Sequence, residues 1–208
     1  MKKMLLLLFI LLTACTQVVP IVPENKTTPL KPVTQNNLET LKNIFDKLGD
    51  RIEYKVRYEF SQASKTGTET IAIKGDDIKI EFILVGQSQE IYFVNSKVYM
   101  CGKQNNQMMC YEVPEADKTT VKNDRDLRKN WDKFTIEDKG TRTIAGASAI
   151  CIYITETKSD YCYSKEGVPL YIKSPSKGYT TEMTAKEYST SVKDSEFTLP
   201  ATPQQLQI

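Results

Sequence analysis

The stretch RIEYKVRYEF, residues 51–60, alternates apolar and charged side chains without a break. Ile52, Tyr54, Val56, Tyr58 and Phe60 fall on one side; Glu53, Lys55, Arg57 and Glu59 fall on the other. Period two is the repeat of a β-strand, and so regular an alternation predicts one dry face and one wet face. The pattern continues. ETIAIKGDDIKIEFIL, 69–84, predicts a hairpin turning at Gly75-Asp76-Asp77, with Ile71, Ile73, Ile78, Ile80, Phe82 and Leu84 apolar. EIYFV and KVYMC carry it to residue 101, and further strands are predicted at 134–138, 141–145 and 148–155, running on to about residue 188. A chain with this many half-dry strands builds a sheet, and the sheet's dry face needs a cover.

Two short segments have helical spacing. In residues 35–49, Leu38, Leu41, Ile44, Phe45 and Leu48 repeat at three and four, and Gly49 marks a stop. In 112–134 charges of both signs dominate; the spacing predicts a loop and then a helix over 121–134 with Leu127, Trp131 and Phe134 on one face. The order (helix, antiparallel strands, helical interruption, more strands) predicts an α+β fold. One strongly curved sheet has its concave face covered by two short helices. Two helices cannot fill such a face, so a cavity is expected. The tail DSEFTLPATPQQLQI is predicted to run along the surface.

The N-terminus bears on location. In MKKMLLLLFILLTAC, two lysines precede a nine-residue apolar run that is too short to span a bilayer. Leu12-Thr13-Ala14-Cys15 resembles the lipobox of prokaryotic lipoproteins. That resemblance implies a signal peptide over 1–14, lipidation at Cys15 and two acyl chains anchoring the protein to the outer side of a cell membrane. Residues 16–34 hold four prolines and no glycine, and read with Cys15 as a 15–34 tether to a single domain over 35–208. Asn25-Lys26-Thr27 is a sequon on that tether. Removing Lys2 and Lys3 from 28 basic residues leaves 26 against 26 acidic ones, a net charge of zero that gives no general pull on nucleic acid.

Four further cysteines sit in two strand pairs. In CGKQNNQMMC a two-residue turn at Asn105-Asn106 places Cys101 opposite Cys110 at a non-hydrogen-bonded position, where side chains are closest. In CIYITETKSDYC a two- or four-residue loop about Glu156-Thr157 places Cys151 opposite Cys162. Each pair would close a loop of about ten residues, stabilising by roughly 2.5–3 kcal/mol. Both bridges fall on the less apolar side of their hairpins, leaving Met100, Met109 and Tyr111 toward the apolar side. Metal and redox readings want C-x-x-C spacing, which is absent.

Little points to catalysis. The chain has no histidine, no G-x-S-x-G, no phosphate-binding loop and no H-E-x-x-H. Ser174-Pro-Ser-Lys177 and Lys65-Thr-Gly67 match fragments of a penicillin-recognising serine enzyme, but in the wrong order. A non-enzyme without metal or cofactor is the expectation, although two carboxylates alone can serve a glycosidase.

Three stretches carry a family resemblance: GTRTIAGASAICIYI (140–154), DYCYSKEGVPLYIKS (160–174) and TEMTAKEYSTSVKDSEFTLPA (181–201). They resemble the lipoprotein-carrier superfamily, which includes LolA-type carriers and LolB-type acceptors. The resemblance implies an unclosed β-barrel of about 10–11 strands, with helices plugging an apolar cavity that holds acyl chains. The expected function is binding of a lipid, or of another lipoprotein's acyl chains, against Ile52, Tyr54, Val56, Tyr58, Phe60, Ile80, Phe82, Met100, Met109 and Tyr111. Leu127, Trp131 and Phe134 would form the lid. The alternative is a cell-surface scaffold or sensor on the same fold that binds another protein and has no ligand cavity.

Overall fold

A computed structural model describes residues 36–49, 51–62, 65–105, 107–113, 127–176 and 178–205. Twelve strands form one sheet: β1 (Glu53–Gln62), β2 (Lys65–Lys74), β3 (Asp77–Leu84), β4 (Gln87–Val94), β5 (Lys97–Gln104), β6 (Gln107–Glu112), β7 (Ile136–Ile144), β8 (Ala147–Ile154), β9 (Ser159–Ser164), β10 (Pro169–Ser176), β11 (Tyr179–Ser189) and β12 (Pro203–Gln205). Their order is β12-β6-β5-β4-β3-β2-β1-β11-β10-β9-β8-β7, so β7 and β12 are the two edges and the barrel is not closed. All pairs are antiparallel except β12, which lies parallel to β6.

Most neighbours are joined by tight turns whose chemistry is local. Asn95 and Ser96, Asn105, and the Ala145-Gly146 pair all have positive φ, the conformation two-residue hairpin turns require. Val85 also has φ 51°, although a β-branched residue rarely enters that region. One junction is long-range. β1 pairs with β11, with Tyr58 opposite Ala185 and Phe60 opposite Met183, and this pairing joins the two halves of the sheet.

Helix α1 (Asn36–Leu48) forms as its spacing predicts. Gly49 follows at φ 53°, and its N–H donates to the Phe45 carbonyl at 2.9 Å, closing the last turn. Leu41 and Phe45 are buried against Ile152, Ile154, Tyr161 and Tyr163 of β8 and β9. The rings of Phe45 and Tyr163 meet edge-on at 4.9 Å. This covers the β7–β10 end of the concave face.

Three expectations change in detail. The strands predicted at 134–138 and 141–145 are one strand, β7, interrupted by a bulge between Asp138 and Thr141. Gly140 takes φ 79° there, and its N–H donates to Asp138 Oδ1 at 2.7 Å. The sheet has twelve strands rather than ten or eleven, because the tail adds β12. Of the helix predicted over 121–134, residues 121–126 lie outside the described residues; 127–129 are helical, and Trp131–Lys133 form a 3-10 turn. The signal segment, Cys15 and the tether also lie outside them.

The tail does run along the sheet, and it has a packing role there. Val192, Phe197, Leu199 and Ala201 cover a second core on the convex face, made by Ala72, Tyr92, Val94, Tyr99, Cys101 and Cys110. Charges on the wet face of β1 and β2 hold it. Lys74 meets Asp194 at 2.6 Å, Lys55 meets Glu196 at 2.7 Å, and Glu53 accepts the Val192 N–H at 2.8 Å.

Candidate functional site

The register of the hairpins organises the concave face into rows. One row runs Val56, Ile71, Ile80, Ile91, Met100, Tyr111 across β1 to β6. The next, nearer the β3–β4 turn, runs Tyr58, Glu69, Phe82, Gln89, Gly102, Met109. The first row is closed at its β1–β3 end, where Val56, Ile71 and Ile80 are buried in the main core. Toward β5 and β6 the rows open into a cleft of about 1000 Å³, lined by Phe60, Phe82, Leu84, Gln89, Met100, Gly102, Met109, Tyr111 and Val113. Its apolar walls are half-buried, and Gly102 leaves a gap in the floor. A Cβ placed on Gly102 would have Ser88 O at 4.0 Å as its nearest neighbour.

Of the residues predicted to bind a hydrophobic ligand, the structure brings Phe60, Phe82, Met100, Met109 and Tyr111 together in this cleft. Val56, Tyr58 and Ile80 are packed in the core beneath it, and the Tyr58 hydroxyl donates to the Pro169 carbonyl. Ile52 and Tyr54 are buried core residues that border a second space of about 710 Å³ between α1 and the β9–β10 turn. Leu127, Trp131 and Phe134 pack with α1, β8 and β9, apart from the cleft. Their neighbour Arg128 is buried; it donates to the Gly167 carbonyl at 2.6 Å and stacks on Phe45 at 4.7 Å.

Both disulfides form as the turns predict. Cys101 pairs with Cys110 at a Cα–Cα distance of 4.1 Å, and Cys151 with Cys162 at 4.0 Å. The second loop has four residues, since Ile154 faces Ser159. Neither bridge is in water. The first lies under the tail, and the second is buried with Ile144, Ala149 and Tyr171.

Glu69 escaped the sequence reading. It sits on the concave face, 7% exposed, between Tyr58 and Phe82. Burial pushes its carboxyl up to about 7. The signal was available: Glu69 shares the parity of Ile71 and Ile73, which makes it a charge on a dry face. Among the described residues no group of His, Cys, Asp and Glu could hold a metal ion.

Comparison with solved structures shows the fold. A crystal structure of MucB superposes with a TM-score of 0.52 at 12% identity, covering 83% of this chain and 65% of that one. The Pseudomonas aeruginosa MucA/MucB complex gives 0.50 at 12%, covering 78% and 60%. An uncharacterized conserved protein from Thermus thermophilus gives 0.50 at 9%, covering 82% and 98%. The chain thus spans about two thirds of MucB or less. No protein-family model and no curated protein matches the sequence. The unclosed antiparallel half-barrel with helical cover is consistent with the LolA/LolB-like fold that the sequence resembles.

Proposed function

We propose that this chain is a lipid-anchored, extracytoplasmic binding protein whose cleft takes an apolar chain, that of a lipid or of an acylated protein. The observation that carries this reading is the cleft itself. It is of ligand size, its walls are mainly apolar, and Phe60, Phe82, Met100 and Tyr111 are left half-wet. An acyl chain laid there removes these surfaces and its own methylenes from water, at ~0.8 kcal/mol per buried methylene. Catalysis has no support among the described residues, where no cluster of titratable groups lines the cleft. The anchor rests on the lipobox-like Leu12–Cys15 segment and implies that Cys15→Ser releases the protein from membranes.

The test is native mass spectrometry, with solvent extraction, of protein purified from its own membranes. Bound mass that extracts as lipid or acyl chain supports the reading. A cleft that stays empty, both as isolated and after incubation with phospholipid, refutes it. The likeness to MucB, whose structure in complex with MucA is known, favours a second reading in which the same fold binds a protein. Co-purification of a stoichiometric polypeptide with no lipid would support that one instead.

A further inference from the structure

We infer that the cleft selects amphiphiles carrying a cationic amine, and that Glu69 receives the amine. The inference deepens the binding reading above and rests on it. The row that lines the cleft through Met109, Gly102, Gln89 and Phe82 has Glu69 as its next position, so this residue stands just behind the cleft lining, where the apolar wall meets the core.

The surroundings of Glu69 explain why the occupant should be a cation. From β1 it faces Tyr58, whose hydroxyl is engaged with the Pro169 carbonyl; from β3 it faces Phe82 and, diagonally, Ile80. Along β2 its face neighbours are Gly67 and Ile71, and beyond β1 lie Ala185 and Met183. None of these is charged. Lys65 shares the face but is exposed and four residues away, roughly 13 Å along a strand. Lys103 stands exposed at the cleft rim. Glu69 has no hydrogen bond or ion pair among the described residues. A carboxylate so placed is costly unless a cation meets it. A neutral hydroxyl leaves the charge unmatched, and a fatty acid adds a second negative charge. At the neighbouring position Gly67 has no side chain, and the Phe60 ring and the Ile83 carbonyl fill that place: an added Cβ would lie 2.7 Å from the ring and 2.6 Å from the carbonyl oxygen. Phe60 also lines the cleft, so its ring stands between cleft and carboxyl and must turn for an amine to reach Glu69.

The experiment measures binding of dodecylamine, dodecanol and dodecanoate, below their aggregation concentrations, to the full chain carrying Cys15→Ser, by calorimetry. The expected result is dodecylamine tighter than dodecanol by roughly ten- to hundredfold, the scale of a charge-assisted hydrogen bond to a buried group. Glu69→Gln abolishes the preference for the amine over the alcohol. Dodecylamine affinity for the unsubstituted protein should rise with pH up to about 7 and level off above, as the carboxyl ionises. This second readout needs no variant. Equal binding of the three probes, tightest binding of dodecanoate, or an unchanged preference in Glu69→Gln overturns the inference and leaves the apolar cleft standing. A flat pH profile also overturns it. Binding of none of the three overturns both.

Discussion

Replacing Glu69 by Gln tests whether its carboxyl is truly held in a dry place. The carboxyl ordinarily titrates near 4.5, and burial on the concave face moves it to about 7. At pH values below 4.5 it is protonated in both folded and unfolded chains. Between 4.5 and about 7 the folded protein keeps the proton that the unfolded chain has lost. The folded state then binds more protons, so stability falls as pH rises. Above about 7 the whole penalty is present. At ~1.36 kcal/mol per pH unit the span from 4.5 to 7 corresponds to about 3 kcal/mol. Glu69→Gln keeps the shape and removes the titration. Part of the penalty is already present at about pH 5, so urea unfolding of both proteins at about pH 5 and about pH 8 should show the variant gaining about 2.5 kcal/mol on the parent across that range. All other carboxylates are common to the two proteins and cancel. A gap that is the same at both pH values refutes the reasoning, because it means Glu69 titrates as an ordinary surface residue.

Gly102→Phe should fill the cleft, since nothing stands within close van der Waals reach of the new Cβ; lipid capture falls by about tenfold or more while urea stability changes by less than about 1 kcal/mol. Cys151→Ala with Cys162→Ala opens a loop of sequence separation 11 and should lower stability by about 3 kcal/mol, read from the urea midpoint. Tyr58→Phe strands the buried Pro169 carbonyl and should cost about 1–3 kcal/mol in the same assay, with ligand affinity little changed because Tyr58 lies beneath the cleft rather than in it.

By itself, the sequence determined what is set by neighbours along the chain. Alternation in 51–60 made β1, the three–four spacing of Leu41 and Phe45 made α1, and the short connection between Gln104 and Gln107, entered through Asn105 at positive φ, brings Cys101 to Cys110. In a hairpin the turn counts out the register, so partners and faces follow from a few adjacent residues. The rest depended on packing between separate elements, some of it between residues more than a hundred positions apart. Pairing of β1 with β11 joined two stacks of hairpins into one sheet. Burial of Val192 and Phe197 fixed the tail over the cysteine side, with exposed ion pairs such as Lys74 with Asp194 beside it, turning an expected wet face into a second core. Leu127, Trp131 and Phe134 stay together in one apolar cluster although no single helix joins them, and the choice of surface fell to α1 and β9, so they cover one end of the sheet and leave the cleft at the other. Glu69 shows the difference most plainly. Its parity on the dry face could be read from its neighbours in sequence, whereas the burial that moves its proton affinity comes from β1 and β3 closing on either side, and only the tertiary structure decided that.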